Sequence, residues 1–149
     1  MSEEKRENWD KRLFKLARDV AEWSSDPHTK VGSVIVGPGN DVRAIGYNGL
    51  PRNIENQSDR FQGELKSFWI EHAERNAIYS AARSGVALPG CRMYVSWFPC
   101  ADCARAIVQV GIGEIICSEP DWEHAKWSQH FQQAKQILAA GSVTVTLRK

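Results

Sequence analysis

Two short stretches of the sequence contain residue types that can hold a metal ion and move a proton. His72 precedes Glu74 by two positions, and further along the chain Pro99 introduces Cys100 and Cys103. One imidazole and two thiolates supply three ligands for a tetrahedral Zn²⁺, and the fourth position stays open for water, as in catalytic zinc sites. Zinc lowers the pKa of water from about 15.7 to roughly 7, and a neighbouring carboxylate can take the proton and pass it on. The two stretches therefore predict a catalytic zinc site with Glu74 as its general acid and base.

The composition is that of a water-soluble globular protein. The 149 residues are enough for one domain with a sizeable core, and 42% hydrophobic and 25% charged residues are ordinary proportions. A formal net charge of +1 gives no basic field for general nucleic-acid binding. The mixed charges of the first residues and the absence of a long apolar run argue against a signal peptide and a membrane span. A C-x-x-C pair with a distant histidine indicates metal binding in a reducing compartment, so we expect a cytoplasmic protein of one domain, 1–149.

The hydrophobic periodicity predicts an alternation of helices and strands. Helices are expected at four places: Asn8 to Trp23, Trp69 to about Ser84, Ala101 to Val110, and Trp127 to Ala140. Strands are expected at five: Val31 to Gly37, Val42 to Tyr47, Met93 to Trp97, Glu114 to Ser118, and Val143 to Leu147. A strand–helix–strand crossover makes the third and fourth strands parallel. The stretch from Arg52 to Lys66 is polar and without a period, so it is expected to be a loop. The pattern predicts an α/β domain of three layers, in which a five-stranded mixed sheet carries helices on both faces.

The predicted helices position the candidate ligands. His72 and Glu74 fall in the first turn of one helix, and Cys100 and Cys103 project from the first turn of the next. Two helix N-termini are therefore expected to meet at one metal, where the helix dipoles favour negative charge.

The other cysteines and histidines lack ligand spacing. Cys91 and Cys117 are expected in the core, where free cysteine packs as a small hydrophobic residue. His28 could approach a ligand, whereas His124 and His130 are assigned no metal.

Motifs around these residues resemble those of the cytidine and deoxycytidylate deaminase superfamily. The pattern H-x-E…P-C-x-x-C is the signature of zinc nucleobase deaminases, and it stands here within Glu71 to Ile78 and Phe98 to Ala104. Ser25 to Ser33 is similar to the first-strand motif of the deoxycytidylate branch. Gly46 to Pro51 is similar to its G-Y-N-G-x-P turn. His28 and Ser33 depart from the commoner residues of that motif. The resemblance runs over nearly the whole chain.

The resemblance implies roles for individual residues. It implies a cytidine-deaminase-like fold and zinc ligation by His72, Cys100 and Cys103. Glu74 would protonate N3 of cytosine and then the leaving ammonia.

Further implied contacts are with the substrate. The backbone of Ala73 would hold the base carbonyl, and Asn48 would reach the deoxyribose, although asparagine in Asn-Gly is also a common turn residue. Phe98, with Trp97 before it, is expected to form a wall of the pocket, because a planar base needs an aromatic or apolar face.

A substrate phosphate would need cations or donors near the pocket mouth. Ser25, Lys30 and Arg52 are candidates for this contact, with weaker support than the substrate contacts named above.

The resemblance leaves the substrate and the assembly partly open. dCMP, deaminated to dUMP, is the expected substrate, but another nucleoside, a free base or a modified pyrimidine or purine would use the same zinc chemistry. A homo-oligomer, a dimer or a hexamer, is expected, and regulation by dCTP and dTTP is left open. No nucleic-acid or membrane partner is expected. The near-neutral charge and the G-Y-N-G-L-P turn argue against a tRNA adenosine deaminase. The alternative from another class is a structural zinc module, but such sites usually have a fourth protein ligand.

Overall fold

A computed structural model describes residues 1–149 and contains five helices and five strands. The helices are α1 (Glu3–Ala21), α2 (Leu65–Trp69), α3 (Ala73–Ser84), α4 (Ala101–Gln109) and α5 (Ser128–Ala140). The strands are β1 (Gly32–Val36), β2 (Val42–Tyr47), β3 (Arg92–Val95), β4 (Glu114–Ser118) and β5 (Thr144–Arg148).

The strands form one mixed sheet in the order β2-β1-β3-β4-β5. β1 is antiparallel to both β2 and β3, whereas β3, β4 and β5 run parallel. The predicted five-stranded mixed sheet and the parallel pairing of the third and fourth strands are therefore confirmed. The carboxyl ends of the parallel strands lie at one edge of the sheet, which is where α/β proteins bind ligands.

Helices cover the sheet on both faces, which confirms the predicted three layers. On one face α1 packs through Leu13, Phe14, Ala17 and Val20 against Val34, Val36, Tyr94 and Ile116. The larger cluster on the other face joins α3, α4 and α5 to the sheet and includes Cys91 and Cys117, as predicted. Every residue of β1 is buried, as expected for a central strand covered on both sides.

Two predictions about helix starts are wrong. The first helix begins at Glu3 rather than Asn8, because Ser2 caps it by accepting a hydrogen bond from the Lys5 amide at 3.2 Å. The helix predicted from Trp69 begins instead at Ala73. The chain before it is extended, because Glu71 exchanges two backbone hydrogen bonds with Gly49, of 2.8 and 3.1 Å.

The stretch predicted to be a loop from Arg52 to Lys66 is partly helical. It contains a 3₁₀ turn at Ser58–Phe61, and α2 begins at Leu65. The bounds of β2 and β4 coincide with the prediction. The other boundaries differ from it by a few residues.

Gly46 allows α3 to lie unusually close to the sheet. A Cβ atom at this position would lie 2.3 Å from both the Ala73 carbonyl oxygen and the Ala77 amide nitrogen. Only a residue without a side chain permits this approach. The first turn of α3, which carries the candidate catalytic residues, is thereby positioned directly against β2.

None of the helices has the length and the apolar character that crossing a membrane would require.

We expect Gly46→Ala to destabilise the fold, because its Cβ would overlap backbone atoms of α3 that have no freedom to move away. Overpacking of this kind costs about 1–3 kcal/mol or more. Thermal unfolding followed by circular dichroism measures the change. Gly49→Ala is the matched control, since nothing lies within 4 Å of a Cβ there. Equal unfolding temperatures for the two variants would contradict the close approach.

Candidate active site

The starts of α3 and α4 bring three potential metal ligands together. His72 is the N-cap residue of α3, Cys100 is the N-cap residue of α4, and Cys103 lies in the first turn of α4. The His72 Nδ1 atom is 3.3 Å from the Cys100 Sγ atom and 3.5 Å from the Cys103 Sγ atom. The predicted ligand set is thus assembled at one point.

The donor set fits zinc. Tetrahedral Zn²⁺ with bonds of about 2.3 Å to sulfur and about 2.0 Å to nitrogen brings such donor atoms to roughly 3.5 Å from one another. All three donor atoms of this cluster lie within 4.8 Å of one another. The cluster contains no fourth protein ligand, which is the composition of a catalytic rather than a structural zinc site.

The pKa values of the two thiols also indicate that a cation binds between them. Hydrogen bonding to Cys103 and interaction with the His72 ring lower the pKa of the Cys100 thiol to about 4. The neighbouring Cys100 and burial raise the pKa of the Cys103 thiol. Both sulfurs can be thiolates together only when a positive ion lies between them, because two adjacent buried negative charges repel.

Glu74 is buried beside this cluster, with 4% of its surface exposed. Burial raises the pKa of its carboxyl group, and this effect exceeds the opposing attraction of His72. The side chain lies in the first turn of α3. A carboxyl group with a raised pKa beside a metal site is suited to take up and release protons.

A cavity of about 570 Å³ opens onto the cluster. It is lined by most of the residues that the sequence singles out: Asn48, His72, Ala73, Glu74, Trp97, Phe98 and Cys100. Ala73 and Phe98 are buried in its wall. Its volume lies within the usual range for small-molecule sites.

The three candidates for phosphate contact are not among the lining residues. Ser25, Lys30 and Arg52 are all exposed. The Lys30 ammonium lies 3.9 Å from the Glu22 carboxylate, at the end of α1, and so points to the outer surface.

Sequence reasoning missed an aromatic and basic wall of the cavity. Its members are Lys66, His124, Lys126, Trp127 and His130. The Trp127 ring meets both the His72 ring and the Trp97 ring edge to face, with centroids 6.0 and 6.2 Å apart. Four of these residues follow β4, at the carboxyl end of a parallel strand, and that position is the signal that could have identified them.

His28 lines a second cavity that adjoins the first. The two cavities share Lys66, Ser67 and Lys126. His124 and His130 lie in the wall of the first cavity and outside the ligand cluster.

Comparison with known proteins gives concordant results. The profile of the family described as the cytidine and deoxycytidylate deaminase zinc-binding region matches residues 7–119. A protein described as a deaminase in the luxG 3′ region of Aliivibrio fischeri is 37% identical over 139 residues, covering 93% of this chain and 92% of that protein. Human deoxycytidylate deaminase is 37% identical over 119 residues, or 72% of this chain. The aligned region spans only 63% of the human protein, which is less than two thirds of its length.

A solved structure supports the fold. The apo dCMP deaminase of cyanophage S-TIM5 superposes with a TM-score of 0.76, covering 99% of this chain and all of that chain, at 22% identity. The same phage enzyme solved with dCMP and dUMP gives a TM-score of 0.75.

We expect Cys103→Ser to reduce the zinc content from about one ion per chain to a small fraction of that value, because a thiolate ligand is lost. Elemental analysis of protein dialysed against a weak chelator measures it. Cys117→Ala is the matched control, since this cysteine is equally buried but lies outside the cluster. Full zinc occupancy in Cys103→Ser, or its loss in Cys117→Ala, would contradict the assignment.

Proposed function

Because this chain belongs to the cytidine and deoxycytidylate deaminase family, we propose that it is a zinc-dependent hydrolytic deaminase of a cytosine nucleotide, converting dCMP to dUMP and ammonia. The observation that supports this best is the buried Glu74 carboxyl beside a cluster of only three ligands. A structural zinc module would need a fourth protein ligand and would give Glu74 no role.

His72, Cys100 and Cys103 would hold the zinc ion. The chemistry that zinc supplies at such a site is a water molecule acidic enough to act as a nucleophile at neutral pH. The starts of α3 and α4 stabilise the negative charge of the donor atoms, and the Cys103 amide donates a hydrogen bond of 3.4 Å to the Cys100 Sγ atom.

Glu74 would move the protons of the reaction. Its carboxylate accepts a proton from the attacking water and delivers it to N3 of the cytosine ring. It would then take the proton of the hydroxyl group added at C4 and deliver it to the amine on the same carbon, so that the C4–N bond breaks, ammonia leaves and a carbonyl remains. Both the attack and the departure require a proton to be shuttled over a short distance, and a buried carboxyl group with a raised pKa does this without a large energetic cost.

The cavity walls would orient the base and exclude water. Phe98 and the Trp97–Trp127 pair give the apolar faces that a planar ring packs against. The contact of the Ala73 backbone with the base carbonyl and that of Asn48 with the sugar stay predictions, and the position of both residues in the cavity lining favours them.

Lys126 would recognise the phosphate of the nucleotide. It lines both the catalytic cavity and the adjoining one, and its ammonium forms no ion pair and lies 5.1 Å from the centroid of the Trp127 ring. An unpaired ammonium at the mouth of a pocket is suited to bind a phosphate. We therefore favour Lys126 over Ser25, Lys30 and Arg52 for this contact, since it lines the cavity and they do not.

The expected homo-oligomer and its regulation by dCTP and dTTP also stay predictions. Exposed aromatic side chains on the surface of the chain favour contact between copies. These are Trp23, Tyr47 and Tyr79. The rings of Trp23 and Tyr47 are in contact with their centroids 6.1 Å apart.

We expect Glu74→Gln to lower kcat for dCMP by a factor on the order of 10²–10⁴, because the glutamine amide cannot carry the protons. The variant should retain its zinc and its affinity for dUMP, since both the ligand cluster and the cavity stay intact. Ammonia release and calorimetric titration measure these quantities. Undiminished turnover would exclude Glu74 from the proton transfers, and loss of zinc would indicate a structural role instead.

We expect Lys126→Met to raise KM for dCMP on the order of tenfold while leaving deoxycytidine unaffected, because only the nucleotide offers a phosphate. Lys135→Met is the matched control. Its ammonium also lies near a tryptophan ring, 5.3 Å from the centroid of Trp122, but outside the cavity. An equal effect of Lys126→Met on both substrates would contradict phosphate recognition by this residue.

A further inference from the structure

An ion pair joins α2, the helix that precedes α3, to a buried residue of the cavity wall. The Lys66 Nζ atom, in α2, lies 2.7 Å from the Asp26 Oδ2 atom. The Asp26 side chain is completely buried, whereas a quarter of the Lys66 side chain is exposed. Both residues line the catalytic cavity. A buried carboxylate without such a partner would be strongly destabilised.

The Asp26 carboxylate accepts several hydrogen bonds. Its Oδ1 atom accepts from the backbone amides of His28 and Thr29, at 2.9 and 3.2 Å, and its Oδ2 atom accepts from Asn48 Nδ2 at 3.3 Å. Burial by itself would raise the pKa of the Asp26 carboxyl. The hydrogen bonds from Lys66 and the two amides outweigh burial and hold the pKa below its ordinary value. Asp26 is therefore charged at neutral pH and acts only as an acceptor.

Three contacts orient the Asn48 amide, and the one that comes from another side chain is with the charged Asp26. Asn48 Nδ2 donates to the Thr29 carbonyl at 2.8 Å and to Asp26, so both of its hydrogens are used. Asn48 Oδ1 accepts from the Val31 amide at 2.9 Å and keeps one lone pair free. Toward a substrate, Asn48 can therefore act only as an acceptor.

We propose that Lys66 is a positioning residue which, through the buried Asp26, holds the Asn48 amide with its oxygen as the free acceptor and so selects substrates that offer a sugar hydroxyl. This inference rests on the proposed function, because it assumes that Asn48 faces the sugar of a nucleotide. In dCMP the 5′ oxygen carries the phosphate, so the 3′-hydroxyl is the hydroxyl donor that remains. Without Lys66 the buried carboxylate loses its countercharge, which weakens the one side-chain contact that orients the Asn48 amide beside its two backbone contacts.

The test compares Lys66→Met, which keeps the length of the side chain, with Lys66→Arg, which keeps its charge. In ¹⁵N-labelled protein we expect Lys66→Met to shift the side-chain amide signals of Asn48, and Lys66→Arg to leave them near their wild-type positions. In kinetics we expect Lys66→Met to lower kcat/KM on the order of tenfold for dCMP. Little change is expected for 2′,3′-dideoxycytidine monophosphate, which lacks the hydroxyl. Lys66→Arg should keep most of the wild-type kcat/KM for dCMP.

Lys15→Met is the control, because it breaks an ion pair of similar length, 2.9 Å to Asp19, on the exposed face of α1. If Lys66→Met does not fold, Lys66→Gln, which removes the charge but keeps a polar end and leaves Asp26 in place, should shift the Asn48 signals in the same way. Unchanged Asn48 signals, or an equal kinetic loss with both nucleotides, would overturn the proposal. If wild-type protein does not deaminate dCMP, the proposed function fails, but the amide signals still decide the role of Lys66.

Discussion

The site depends on two helices that begin at the same place. His72 and Cys100 each immediately precede a helix, and their donor atoms are only 3.3 Å apart. The free amides and the dipole at a helix start favour negative charge. Two thiols and the Glu74 carboxyl can therefore share a small buried volume. A metal ion with an open position supplies the remaining positive charge, and the composition of the cluster fits zinc.

The rest of the fold keeps these two helix starts in place. Because Gly46 has no side chain, the backbone of α3 lies directly against the backbone of β2. This contact sets the position of His72 and Glu74 relative to the sheet. The crossover from β3 through α4 to β4 brings Cys100 to the carboxyl end of the parallel strands. The aromatic residues after β4 form a further part of the cavity wall. Each part of the sequence that carries the site is thus positioned by the sheet.

The features that depend on short-range patterns could be predicted from the sequence. The bounds of β2 and β4, the mixed sheet and the ligand cluster follow from alternation, helix spacing and the Pro-Cys-x-x-Cys motif. Features fixed by distant contacts could not. α2 is only five residues long, too short for a periodic pattern to stand out, and one contact that holds it is the ion pair between Lys66 and Asp26, which are far apart in the sequence. In the same way, Lys30 follows a family motif but its ammonium is directed toward Glu22 and away from the cavity.

This site is proposed to remove an amino group from the cytosine ring of a nucleotide. Ammonia release by zinc-loaded wild-type protein, measured in parallel with dCMP, deoxycytidine, cytosine and guanine, tests it most directly. We predict turnover of dCMP with far lower kcat/KM for deoxycytidine and cytosine and none for guanine, because the phosphate contributes binding energy that orients the base. No ammonia from dCMP, together with release of ammonia from another of the amines, would contradict the nucleotide assignment. No ammonia from any of the four would contradict the assignment of a deaminase activity to this site.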